Sequence, residues 1–229
     1  MAQERKKSYM PQIGEAVFCI AYLAFDLVAA IILFVNAKGS QVLYLFGVLT
    51  LVLGGGDAFH LVPRVTKVFR GSSPKVEWWS GFGLMVSSIT MTVFYVLLFY
   101  VWKAIFPEVP YPSALPVLIW ISAAIRIIIC LFPQNNWLQA EGNLKWGLYR
   151  NLPFAVTGLC LAILFFLSGS TGGYRLWRMS IAIIISFACY FPVVLLAKKK
   201  PMAGMLMIPK TMAYIWMISM GLGLIGKTF

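Results

Sequence analysis

Seven stretches of this chain are each long enough to cross a membrane, and each is nearly free of charge. They lie near residues 14–36, 41–63, 79–102, 113–132, 148–168, 177–197 and 203–226. A helix needs about 20 residues to cross about 30 Å of hydrocarbon. Lipid offers no partner to an exposed backbone N–H or C=O, so a spanning segment must satisfy these groups internally, as a helix does. The apolar residues run continuously rather than alternating, which argues against a β-barrel. Short polar punctuation separates the runs: AKGSQ at 37–41, PEVPYPS at 107–113, SGSTGG at 168–173 and KKKP at 198–201. Only 11% of the residues are charged, against about 25% in a soluble domain. The expectation is an all-α, polytopic membrane protein: a basic cytoplasmic N-terminus over 1–13 and a single seven-helix domain over 14–229.

The charged residues predict an orientation. The formal net charge is +12. In a soluble protein such an excess points to nucleic acid. Here the basic residues cluster in short connections, so the pattern is that of a positive-inside signal and no nucleic-acid partner is expected. Arg5, Lys6, Lys7, Arg64, Lys67, Arg70, Lys75, Lys145, Arg150, Lys198, Lys199 and Lys200 fall on one side, and only Lys38, Lys103, Arg175, Arg178 and Lys227 on the other. The N-terminus is therefore expected inside and the C-terminus outside. Trp78, Trp79, Trp102, Trp137, Trp146 and Trp177 sit near span ends, as an aromatic belt requires. No cleavable signal peptide is expected, since the first apolar run is too long and lacks a small-residue cleavage site. The economy of the loops fits an inner or plasma membrane, and a bacterial one.

The four cysteines lie inside apolar runs, far from one another in sequence. They read as small buried hydrophobes. With His60 the only histidine, no metal site is expected, and no cofactor is implied.

Several ionisable residues lie inside the apolar runs. Asp57 and Arg126 each sit about six residues, roughly 9 Å, before the cytoplasmic end of their spans, and Lys210 about 11 Å after the start of the last. Such groups cost at least about 2.5 kcal/mol each unless paired or hydrated. The economical arrangement turns Asp57, Arg126 and Lys210 toward one another around a polar pocket. His60 shares a helix face with Asp57, and an Asp-x-x-His pair can serve acid–base chemistry or proton relay. Arg64 and Arg150 lie nearer the interface as further ligand-binding candidates, and Asp26, close to the midplane, is a candidate for proton coupling. Gly54, Gly55 and Gly56 precede Asp57, and Pro209 precedes Lys210, so both helices are expected to break there, as helices lining a transport site do. The polar stretch 132–151 reads as an anchored loop, an interfacial helix or a lid.

A repeat of three, one and three spans is hinted at by Ala16-Val17 against Ala155-Val156 and by Thr90-Met91 against Thr211-Met212. Family resemblances stop at a few residues. Lys210 is in the last span, as in microbial rhodopsins, but near its start. Alkaline-ceramidase-like hydrolases need several histidines. Gly54–Gly56 resembles the glycine kink of trimeric intracellular cation channels, and Pro11-Gln12 and Pro133-Gln134 resemble PQ-loop dipeptides. No membership follows.

The functional expectation is a pocket facing the cytoplasm that binds a small anionic or zwitterionic ligand, in a transporter or channel. The alternatives are a membrane-embedded enzyme acting on a lipid or isoprenoid head group, and a sensor or structural protein. The bilayer is the expected partner, and homo-oligomerisation is left open.

Overall fold

The computed structural model describes residues 2–139, 143–168, 171–196 and 201–228, with side chains described at all of these except 2–11 and 201. Among the described residues, seven α-helices run in order: α1 (Ala2–Ala37), α2 (Gln41–Arg70), α3 (Pro74–Ile105), α4 (Ala114–Leu131), α5 (Leu144–Leu167), α6 (Trp177–Leu196) and α7 (Met207–Leu222). Each contributes a segment long and apolar enough to cross a membrane, the last beginning at Met202 in a 3-10 turn, Pro201–Leu206. Helix α1 continues unbroken back to Ala2, and its membrane-length apolar part is Gln12–Ala37.

Several helix starts are set by polar caps. Ser40 Oγ accepts from the Leu43 N–H, Ser73 Oγ from the Val76 N–H, and Asn143 Oδ1 from the N–H groups of Lys145 and Trp146. These bonds satisfy donors that the first turn leaves open. Gly71, at φ 84°, ends α2 in a backbone conformation that favours glycine.

Each helix packs against its sequence neighbours, α7 closes onto α1, and α3 also touches α5. The result is a closed ring around one large apolar core, with a smaller cluster of Cys19, Tyr22 and Leu61 between α1 and α2. Leu33, Phe46, Phe94, Leu98, Trp102 and Phe165 are fully enclosed in the large core. Trp102 is not a belt residue. It lies in the core, where its indole N–H donates to the Leu164 carbonyl (3.0 Å) and Ser168 Oγ (2.9 Å). A buried indole needs such an acceptor, and the end of α5 supplies two.

Helix α2 corrects the expected break. It is continuous from Gln41 to Arg70, through all three glycines and past Pro63. The glycines work by size. A Cβ on Gly54 would meet Asp26 Cβ at 2.6 Å, and one on Gly56 would fall on the Thr90 side chain, whereas Gly55 faces open space. Gly54 thus lets α1 approach α2 closely, and Gly56 lets α3 do so. Pro63 cannot donate to the carbonyl four residues earlier, that of Phe59. That region packs against Gly83 of α3, where any side chain would strike the Phe59 carbonyl.

Candidate ligand pocket

A cavity of about 110 Å³ opens where the odd-numbered helices begin and the even-numbered ones end, and all seven helices line it. Helix α2 brings Asp57, His60 and Arg64, one turn apart on a shared face. Helix α4 brings Arg126, and α7 brings Lys210 from its first turn. The remaining wall includes Tyr22 of α1, Ser87 of α3, Phe154 of α5 and Tyr190 of α6.

Asp57 is 8% exposed and doubly hydrogen-bonded. The Tyr22 hydroxyl donates to Oδ2 (3.0 Å) and the Ser87 hydroxyl to Oδ1 (2.6 Å). Both donors come from other helices, so the carboxylate ties α1, α2 and α3 together. His60 Nδ1 stands 3.9 Å from Asp57 Oδ1, too far for a hydrogen bond, and that nitrogen is buried without a partner among the described residues. The helix places the two groups on one face without forming an acid–base dyad.

Arg126 is 2% exposed. Its guanidinium stacks on the Phe154 ring, 3.3 Å from the centroid, while Nε and Nη1 are buried with no hydrogen-bond partner among the described residues. Lys210 is 7% exposed, its ammonium 5.0 Å from the ring centres of both Tyr190 and Tyr214. Aromatic faces attract cations electrostatically but accept no conventional hydrogen bond as a carboxylate does. Among the described residues, neither Arg126 nor Lys210 forms an ion pair. The expected mutual pairing of Asp57, Arg126 and Lys210 is therefore absent, although all three share one cavity. The carboxylate is satisfied by hydroxyls and the two cations rest on aromatic rings.

At the rim, Arg64 pairs with Glu15 across α1 and α2, both partly exposed. Away from the rim the pocket meets aromatic packing: Tyr95 lies 5.0 Å from Phe154 and 5.7 Å from Phe187, and Phe94 lies 5.8 Å from Tyr214.

Two candidates fall outside this cavity. Arg150 donates to Asn135 Oδ1 (2.8 Å) and stacks 4.2 Å from the Trp137 ring. It anchors the connection between α4 and α5, where Asn135 Nδ2 also donates to the Ile129 and Phe132 carbonyls and Trp137 to that of Cys130. This described part of the stretch is a tied-down 3-10 turn at Pro133–Asn135, and residues 140–142 lie outside the described residues. Asp26, 1% exposed, lies beside a separate crevice between α1 and α2, with both carboxylate oxygens unpartnered among the described residues.

Pro209 sits in the first turn of α7, just after the 3-10 turn. There the missing N–H would have had no intrahelical partner. The discontinuity in the last span is thus a change of helix type before Lys210, not a kink at Pro209.

Sequence reasoning passed over Tyr22, Ser87, Phe154 and Tyr190. Tyr22 carried a signal, one turn before Asp26 in YLAFD. The others are ordinary residues of apolar helices until the fold turns them inward.

No family model matches the chain, and no curated protein or solved structure matches it.

Proposed function

We propose that this chain binds a small anionic or zwitterionic solute in the seven-helix pocket and moves it across a cell membrane, with the basic end of the bundle in the cytoplasm. The observation that carries this reading is a pair of buried cations, Arg126 and Lys210, that share a cavity and have no acidic partner among the described residues. Two desolvated charges are costly to keep in a bilayer, and a bound anion offsets that cost. The pocket opens at one end and is backed by aromatic packing, as one state of an alternating-access cycle requires. The change from 3-10 to α-helix before Lys210 provides a place for α7 to flex. The resulting topology is N-terminus inside and C-terminus outside, with the three-one-three arrangement as its internal symmetry. Asp26, buried and unpartnered, is the site for a coupling proton.

A second reading, an enzyme acting on a lipid head group, draws support from the placement of all the pocket's charges at one end of the bundle. The 3.9 Å separation of His60 and Asp57 counts against it.

Native mass spectrometry of the purified protein tests the choice. A bound polar solute, lost in both Lys210→Ala and Arg126→Ala, is the expected result. A co-purifying lipid lost in the same variants would move the assignment to the enzyme, and binding indifferent to both variants would remove the pocket from the function.

A further inference from the structure

We infer that the ligand presents one oxyanion group, a carboxylate or a phosphodiester, to Arg126 and Lys210, and that it carries a single net negative charge. This rests on the ligand-pocket reading above and narrows it.

The chemistry follows from how the two cations are held. Phe154 covers one face of the Arg126 guanidinium, so the group can bind only through the N–H edges that lie in its own plane. Two of its nitrogens, Nε and Nη1, are buried and unused. Planar N–H donors match the oxygens of a carboxylate or phosphate better than a spherical halide. Lys210, held against Tyr190 and Tyr214, adds a point charge with three donors and no demand on direction. One planar donor set and one flexible ammonium in one cavity suit an oxyanion with several oxygens.

The net charge follows from formal counting. Arg126 and Lys210 bring two positive charges and Asp57 one negative, while Glu15 and Arg64 cancel in their own pair. Among the described lining residues, one positive charge remains for the ligand to neutralise. A dianion would leave an uncompensated charge beside Asp57, in an environment where such a charge is costly.

A free solute and a lipid head group present the same phosphodiester or carboxylate to these recognising groups. Calorimetric titration of the full chain in neutral detergent separates them. The free arm uses acetate, dimethyl phosphate, sulfate and, as a cationic control, methylammonium. The lipid arm uses short-chain phosphatidylglycerol, with zwitterionic phosphatidylcholine of the same chain length beside it. A monoanion is expected to bind in at least one arm, and the arm identifies the source. Arg126→Gln is expected to weaken it by about tenfold or more, and Arg126→Lys, which keeps the charge but loses the planar donors, by an intermediate factor. Thermal melting of both variants checks that they are folded, and Lys210→Met provides an independent loss of charge if Arg126→Gln is not. Asp57→Asn is expected to shift preference toward sulfate over acetate by about tenfold, because it adds one positive charge to the site.

Preferential binding of methylammonium, or monoanion binding unchanged in folded Arg126→Gln and Lys210→Met, would overturn the inference while leaving a ligand pocket in place. Sulfate binding more tightly than every monoanion in the unaltered protein would overturn the charge assignment. If no probe binds and nothing co-purifies, the pocket reading fails and takes the oxyanion with it.

Discussion

Asp57 is the residue on which three helices converge. Its carboxylate accepts one hydrogen bond from the Tyr22 hydroxyl on α1 and another from the Ser87 hydroxyl on α3, so it acts as a knot between neighbours before any ligand arrives. Hydrogen bonds to a charged group contribute about 1.5–3 kcal/mol each. Tyr22→Phe and Ser87→Ala should each lower unfolding stability in detergent by about that much, and equilibrium unfolding reads it directly; values within error of wild type would mean that Asp57 finds its partners elsewhere. The glycine triplet gives a sharper contrast within one segment. Gly55 meets nothing, so Gly55→Ala should be neutral or stabilising, by up to about 1 kcal/mol from helix propensity. Gly54→Ala and Gly56→Ala drive a methyl into Asp26 and Thr90 and should destabilise by about 1–3 kcal/mol. Thermal melting of the three variants side by side checks the ordering, and equal effects would reject the close approach of α1 and α3 to α2.

At the scale of elements, the helices were legible because their cause is local. Length, continuous hydrophobicity and polar punctuation all act within a few residues, and the spans expected over 113–132 and 177–197 fall within a residue of Ala114–Leu131 and Trp177–Leu196. Helix α2 extended seven residues beyond its expected end because Pro63 interrupts one hydrogen bond without ending the helix. Half of the candidate site was legible too, since charge inside an apolar helix needs a reason wherever it occurs. Which charges meet was not, because pairing depends on how seven helices rotate against one another. Arg150 faces a loop and Arg126 an aromatic ring, and nothing in IRIII or LYRNL distinguishes those fates. Two elements also frame the mouth. Cys19 lies on the pocket wall in α1, close to the Glu15–Arg64 pair. In a variant retaining Cys19 as its sole cysteine, Glu15→Gln should speed modification by a small methanethiosulfonate severalfold, with little change in stability, since exposed ion pairs contribute about 0–1 kcal/mol. A rate that does not change would show that the pair does not govern access.

The whole molecule is asymmetric from end to end. Charge gathers where the pocket opens, and the opposite end is closed by Trp102 and its aromatic neighbours. The proposed orientation can be read with single cysteines in the connections. Ser72→Cys should resist an impermeant maleimide added to intact cells and react once the membrane is permeabilised, while Glu108→Cys should react at once; the reverse pattern would invert the topology. The position of the Glu15–Arg64 pair has a kinetic consequence. Exposed charges are screened at physiological ionic strength over about 8 Å, and buried ones much less. Added salt should therefore loosen the mouth while leaving the attraction at Arg126 and Lys210 largely intact. A ligand would then come and go faster in concentrated salt while its equilibrium occupancy changed less, so that ionic strength sets the tempo of exchange more than the strength of the grip.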